Sequence, residues 1–257
     1  MALIQFEAFS DVLGKAFTAH IALPETARGP FPVLWLLHGA GDNGSGWLRH
    51  TAIERQATRR DLALVAPTAG MSMYEDMAHG QRYFTHIADE LPKMLRRLLP
   101  LSDRREDNFI AGLSMGGTGT LVYALNHPER FAAAAVLSCC PFQMGFTNDA
   151  NLDDRSRGMV ENRGGLAAFQ ASYENTWGLV DKLAGSKDLP RFYFAIGKDD
   201  FLYESYKTFK AHAKEIGFDA TFEEFDGYKH EWRFWDLTIQ RALDFFGLDE
   251  KGAGNPF

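Results

Sequence analysis

The chain has 257 residues, 46% of them hydrophobic and 24% charged, with a formal charge of −7. At this length roughly 70–75% of the unfolded surface can be buried, so a core is available without staples, and the composition excludes disordered and fibrous classes. The acidic balance argues against nucleic acid as a partner. No run approaches the roughly 18 apolar residues of a membrane span, and the opening Met1–Glu7 lacks the basic start of a secretory signal.

Two cysteines are present and they are neighbours, Cys139 and Cys140. Adjacent residues rarely reach disulfide geometry and two thiols make no metal cage, so both read as small core residues and the expected address is a reducing, cytoplasmic one. No stretch rich in Pro, Gly or Ser divides the chain, which reads as one domain over 1–257.

In chain order, Ile4–Phe9 and Ala16–Leu23 suggest an antiparallel pair. Val33–Leu37 is an unbroken apolar run that enters a glycine-rich loop. Leu62–Ala66, Phe109–Ala111, Ala132–Leu137 and Phe192–Ile196 are runs of the same kind. Such runs suit strands covered on both faces, whereas Thr221–Phe225 alternates and suits an edge. Helical period appears between them. Trp47–Arg60 is one segment, and Ile87–Leu99 is another, with Leu91, Met94, Leu95 and Leu98 on one face. Met115–Asn126 ends before Pro128, Tyr206–Ile216 stops at Gly217, and Trp232–Phe246 closes the fold. The alternation predicts an α/β fold, a doubly wound, mostly parallel sheet with helices on both faces. In such a sheet, sites gather at the carboxyl ends of the strands. Residues 141–190 form a long excursion, expected to be a site-covering insertion.

Gly112-Leu-Ser114-Met-Gly116 follows an apolar strand and opens a helix, which is G-x-S-x-G in its strand–turn–helix context. A sharp turn of this kind leaves no room for Cβ atoms beside the serine and thrusts its Oγ over the sheet edge. The helix that follows aims its amides at the same point. A serine hydroxyl needs a base to take its proton. With the order serine, acid, histidine, only His127, His212 and His230 are eligible. His127 lies at the far end of the serine's helix, about 18 Å away, and His212 lies inside a charged, solvated helix. His230 sits in a loop between the last strand and the last helix, where the chemistry needs it. The acid that orients the imidazole is then Asp199 or Asp200, directly after the strand ending at Ile196, with Asp226 a weaker third; spacing leaves Asp199 and Asp200 open. Two backbone donors must receive the oxyanion. One is the amide of Met115, and the other comes from the loop His38-Gly39-Ala40-Gly41, in which His38 reads as a brace.

These residues resemble the esterase D-like carboxylesterases, particularly their tributyrin-esterase branch. The resemblance rests on Leu37-His-Gly39, Gly112-Leu-Ser-Met-Gly-Gly117, Gly197-Lys-Asp-Asp-Phe-Leu-Tyr203 and Lys229-His-Glu-Trp232 with Trp235-Asp236, so it spans most of the chain. It implies the α/β-hydrolase fold, hydrolysis of short-chain acyl esters, and no cofactor. Some members act on acetylated sugars, feruloyl esters or thioesters, and many are oligomeric, so a homo-oligomer is one expected state. It also implies Asp200 as the acid and the amides of Ala40 and Met115 as oxyanion donors. Ala40 is smaller than the large apolar residue expected after His-Gly, which bears on the shape of the acyl pocket.

Phe142, Met144 and Trp177, with Phe146 and Met159, are candidates for lining that pocket or for anchoring the excursion. Trp232 and Trp235 are expected to pack the last helix. Competing functions are acyl transfer to an alcohol, thioester hydrolysis of the S-formylglutathione type, and a binding module that has lost catalysis. Gly39-Ala-Gly41-Asp-Asn-Gly44 matches G-x-G-x-x-G, but the acidic residue a dinucleotide site wants does not end the following strand.

Overall fold

The computed structural model describes residues 1–25, 28–142 and 154–250, without the side chains of 154–156 and 159. Among the described residues, eight strands form one sheet: β1 (Ala2–Ser10), β2 (Lys15–Leu23), β3 (Val33–Leu37), β4 (Ala63–Pro67), β5 (Asn108–Leu113), β6 (Ala133–Leu137), β7 (Arg191–Gly197) and β8 (Ala220–Phe225). Their order is β1-β2-β4-β3-β5-β6-β7-β8. The first two make the expected hairpin, with Ala2 opposite Leu23 and Ser10 opposite Lys15, and β2 meets β4 antiparallel. Every later pair is parallel. Because β4 lies on one side of β3 and β5 on the other, the winding reverses there, and the crevice opens at the carboxyl ends of β3 and β5.

The central strands β3, β4, β5 and β6 are buried at every position, as their unbroken apolar runs require. Successive side chains feed opposite cores. Val33, Trp35 and Leu37 join one cluster with Tyr123 and Phe209, while Leu34 and Leu36 join the other with Trp47, Phe234 and Ile239. At the edge, β8 is only half-buried.

The helical segments depart from the periodic reading in two places. Trp47–Arg60 is not one helix but two, α1 (Gly46–His50) and α2 (Ile53–Thr58). Thr51 between them is extended, and the amide of Ala52 donates to Asp236 Oδ1 at 2.7 Å. A bond to the last helix replaces the intrahelical one. The next helix begins early, as α3 (Tyr83–Thr85), runs through a π-helical turn at His86–Glu90, and continues as α4 (Leu91–Leu98). Leu91 and Leu95 are buried and Met94 half-buried, but Leu98 is 64% exposed, so it does not share their face. The remaining helices are α5 (Met115–Asn126), α6 (Asp154–Glu161), α7 (Leu166–Ala171), α8 (Thr176–Leu183), α9 (Tyr203–Ile216) and α10 (Trp232–Phe245). The left-handed Gly217 stops α9 as expected. No described helix is long and apolar enough to cross a membrane.

Candidate active site

Between β5 and α5 the chain turns on a single residue, Ser114, held at φ 52° and ψ −119°. A residue with a Cβ rarely adopts such a φ, and it persists only where the surroundings over-determine it. Here they do. The amide of Ser114 donates to Leu137 O at 2.9 Å, and its carbonyl accepts from the amides of Gly117 and Thr118. Packing also demands the flanking glycines. A Cβ on Gly112 would stand 2.0 Å from Gly116 O, and one on Gly116 would stand 2.1 Å from Leu37 O. The first turn of α5 is thereby pressed against the end of β3. Its first amide, on Met115, has no acceptor within the helix.

The carboxylate comes from the turn after β7. Asp200 is buried, and its amide donates to Gly197 O. Its Oδ1 accepts from the amide of Leu202 at 2.9 Å, and its Oδ2 lies 2.8 Å from His230 Nδ1. Asp199 points to solvent, and Asp226 pairs with Lys198 at 2.9 Å, so of the three acids only Asp200 meets the imidazole. A carboxylate on Nδ1 fixes the tautomer whose Nε2 lone pair faces outward. Aromatic edges hold the ring: Trp235 stands perpendicular to it at 5.1 Å, and the exposed Phe201 lies at 4.7 Å. Trp235 is itself tied by Nε1 donation to Ser138 Oγ at 3.0 Å.

On the facing side, the loop after β3 is braced as the sequence suggests. Buried His38 donates from Nδ1 to Gly39 O at 2.8 Å and accepts at Nε2 from the amide of Ala69 at 2.9 Å. Burial holds its pKa below the ordinary value, against opposing pulls from the Gly39 carbonyl and Asp42. Since Gly39 O and the amide of Ala40 belong to one trans peptide, fixing the carbonyl aims the N–H the opposite way. Among the described residues, that N–H has no acceptor.

Ser114, His230 and the Gly39–Asp42 loop line one cleft of about 510 Å³, with His50, Trp232 and Trp235 on its walls. The two tryptophans therefore do more than pack α10, a role that spacing alone did not reveal. Trp232 lies against His50 at 4.8 Å with the rings tilted by 31°, and its ring meets Trp47 and Trp235 edge-on.

Other sequence candidates lie elsewhere. Trp177 is buried, stacked on His212 at 4.6 Å and packed against Phe209, and it does not line the cleft. His212 is accordingly not solvated but half-buried, and it pairs with Asp181. Phe142 packs, partly buried, on the same core. Met144 and Phe146 lie outside the described residues, as does the side chain of Met159. No described residue of 141–190 lines the cleft. Cys139 and Cys140 are buried free thiols, and burial pushes Cys139 up to about 12. His127 stacks on Phe84, far along α5.

Sequence reasoning missed the segment behind the loop after β3. Tyr74 donates from its hydroxyl to His38 O at 3.0 Å, and Thr68 Oγ1 accepts from the amide of Gly44 at 3.1 Å. Behind them Arg163 is buried between Glu75, which it hydrogen-bonds, and Glu174, at 3.0 Å. Burial, then the neighbouring Glu174, drives Glu75 up to about 8 against the pull of Arg163; Glu174 is raised by burial too. No motif marks such a cluster, because its members are up to about a hundred residues apart.

Comparison with known proteins places this architecture. Residues 10–246 match the Esterase family. The acetyl esterase of Caldicellulosiruptor saccharolyticus is 28% identical over 95% of this chain and 98% of its own length. Among solved structures, the substrate-bound Staphylococcus aureus fluorophosphonate-binding serine hydrolase F superposes with a TM-score of 0.84, at 32% identity over 96% of this chain and 99% of that one. The S-formylglutathione hydrolase FrmB of the same organism gives 0.81 at 32% identity, over 95% and 98%. The chain belongs to the Esterase family and is an esterase D-like serine carboxylesterase of the α/β-hydrolase superfamily.

Proposed function

We propose that Ser114 is the nucleophile, His230 the general base and Asp200 the acid that orients it, and that the substrate is a short-chain, acetyl-like ester of a small alcohol. Ser114 Oγ attacks the ester carbonyl while His230 Nε2 takes its proton and then hands it to the departing alcohol. The amides of Ala40 and Met115 receive the oxyanion. Water, deprotonated by the same imidazole, then releases the acid from the acyl-serine, so no cofactor takes part. The observation that carries this reading is the 2.8 Å contact of Asp200 Oδ2 with His230 Nδ1, in a cleft whose lining includes Ser114. The acetyl esterase relative supports the choice of a small acyl group. The expected test result is covalent labelling by a fluorophosphonate at Ser114 and nowhere else, with kcat/KM highest for acetyl and falling along an ester chain-length series. Labelling at another residue would overturn it.

A thioester reading has its own support in the S-formylglutathione hydrolase at 32% identity. The same residues would act, with a thiolate leaving instead of an alkoxide. Measuring S-formylglutathione beside an acetyl ester separates the two by the ratio of their kcat/KM values. Free thiols at Cys139 and Cys140 support a cytoplasmic setting for either.

A further inference from the structure

The oxyanion-side loop contains an arrangement of amides that the proposed chemistry alone does not explain. From Asp42 to Gly46 each backbone N–H has an acceptor in its own loop or the adjoining strand end: Asp42 on Gly39 O, Asn43 on Asp42 Oδ1, Gly44 on Thr68 Oγ1, Ser45 on Asn43 Oδ1, and Gly46 on Asn43 O. Gly41 differs. Its N–H donates to the thioether sulfur of Met71, 3.2 Å away, on a segment thirty residues further along the chain. Met71 is 65% exposed, one of the few large apolar side chains left in water. A thioether is a weak acceptor, and an exposed methionine contributes little burial. The packing of the core therefore does not account for this side chain.

Its placement matters because of the two peptide planes that meet at Ala40. The Gly39–Ala40 plane is fixed by His38 through Gly39 O. The Ala40–Gly41 plane is fixed by Met71 through the N–H of Gly41. Gly41 itself resists rotation poorly: its φ is +78°, and nothing lies within 4 Å of where a Cβ would stand. The amide of Asp42 donates to Gly39 O at 3.3 Å, closing a turn whose central Ala40–Gly41 plane can turn over without breaking that bond, and the sulfur holds the plane in one of the two orientations.

We infer that Met71 is a positioning residue for the oxyanion hole: it withdraws the Gly41 N–H and leaves the Ala40 N–H as the donor that faces the reacting carbonyl. The inference rests on the reading of Ser114 and Ala40 given above. The bond acts through the backbone and touches no substrate, so it serves the transition state, in which the oxygen carries charge, more than the bound ester.

The test compares Met71→Leu, which keeps the bulk and removes the acceptor, with Met71→Gln, whose carbonyl oxygen can replace it. For an acetyl ester, Met71→Leu is expected to lower kcat by about threefold to tenfold, the worth of one net hydrogen bond, with KM and the melting temperature unchanged. Its rate of fluorophosphonylation should fall by the same factor, and Met71→Gln should restore both. A Met71→Leu enzyme with wild-type kcat, a change carried by KM, or a Met71→Gln enzyme as slow as the leucine variant would each overturn the inference alone. A Ser114→Ala enzyme that still turns over ester would bring down the reading of the site, and this inference with it.

Discussion

Two walls of the cleft are held in place by different physics. The wall at 112–117 is set by backbone sterics within six residues and one neighbouring strand end. Gly112 and Gly116 exist because a Cβ there would strike a carbonyl oxygen at 2.0 and 2.1 Å. The opposite wall, the loop after β3, is held by side chains that arrive from elsewhere. Thr68, Met71 and Tyr74 each reach it, and Ala69 offers its amide to His38. Behind that segment, Arg163 holds Glu75, and the Tyr173 hydroxyl accepts from the amide of Asp76 at 3.1 Å and donates to the Glu174 carboxylate. The first wall is rigid by exclusion; the second is only as rigid as a chain of polar contacts that runs back to α6–α8. Substitutions on the first wall and its catalytic neighbours should therefore abolish chemistry outright, and those behind the second should act by degrees and with pH.

The largest effect expected is that of Ser114→Ala, a loss in kcat on the order of 10⁶, with an unchanged melting temperature, read by ester hydrolysis and thermal unfolding on one preparation. Asp200→Asn should follow, at about 10⁴ in kcat, because the amide holds the wrong tautomer of His230. Asp199→Asn, which alters a side chain in solvent, should leave kcat within about twofold, as surface changes usually do. Equal losses from the two would mean that contact with Nδ1 is the wrong guide to the acid's role.

The same contrast governs what the sequence disclosed. Strand β3 could be bounded as Val33–Leu37 because five buried apolar residues in a row have few other readings. The Ser114 turn was legible because its glycines are required by the turn itself. Spacing could not decide between Asp199 and Asp200, since adjacent residues differ only in where the turn after β7 aims them; the fold buries one and exposes the other. The break in Trp47–Arg60 depends on Asp236, 184 positions away from Ala52, and a periodic pattern cannot register so distant an acceptor. Nor could it separate Trp177, a core residue on α8, from Trp235, which braces the imidazole. Both are apolar rings in apolar company.

Behind the second wall, Arg163→Met should cost about 3–5 kcal/mol at pH 9, where removing the guanidinium leaves the buried carboxyls without a countercharge. At pH 5 the cost should be smaller, because carboxyls whose pKa values are raised by burial can take up protons instead. Urea unfolding at the two pH values measures this, and an equal cost at both would show that the guanidinium acts by packing on Phe169, 4.9 Å below it, rather than by charge.

Glu75→Gln is the gentlest change and the most specific. One guanidinium between two buried carboxyls favours a single net carboxylate, so Glu75 keeps its proton to about 8 in the fold against 4.5 in the free side chain. A carboxyl raised in this way contributes stability that is fully present below the unfolded value and is lost as the pH climbs through the folded one. Wild-type enzyme should therefore lose thermal stability steadily between pH 5 and 9. Glutamine resembles the protonated acid and cannot ionise, so the variant should match the wild type near pH 5 and exceed it near pH 9, with a flatter profile between. A variant whose stability profile runs parallel to the wild type's would mean that the charge on this carboxyl is not what loosens the second wall.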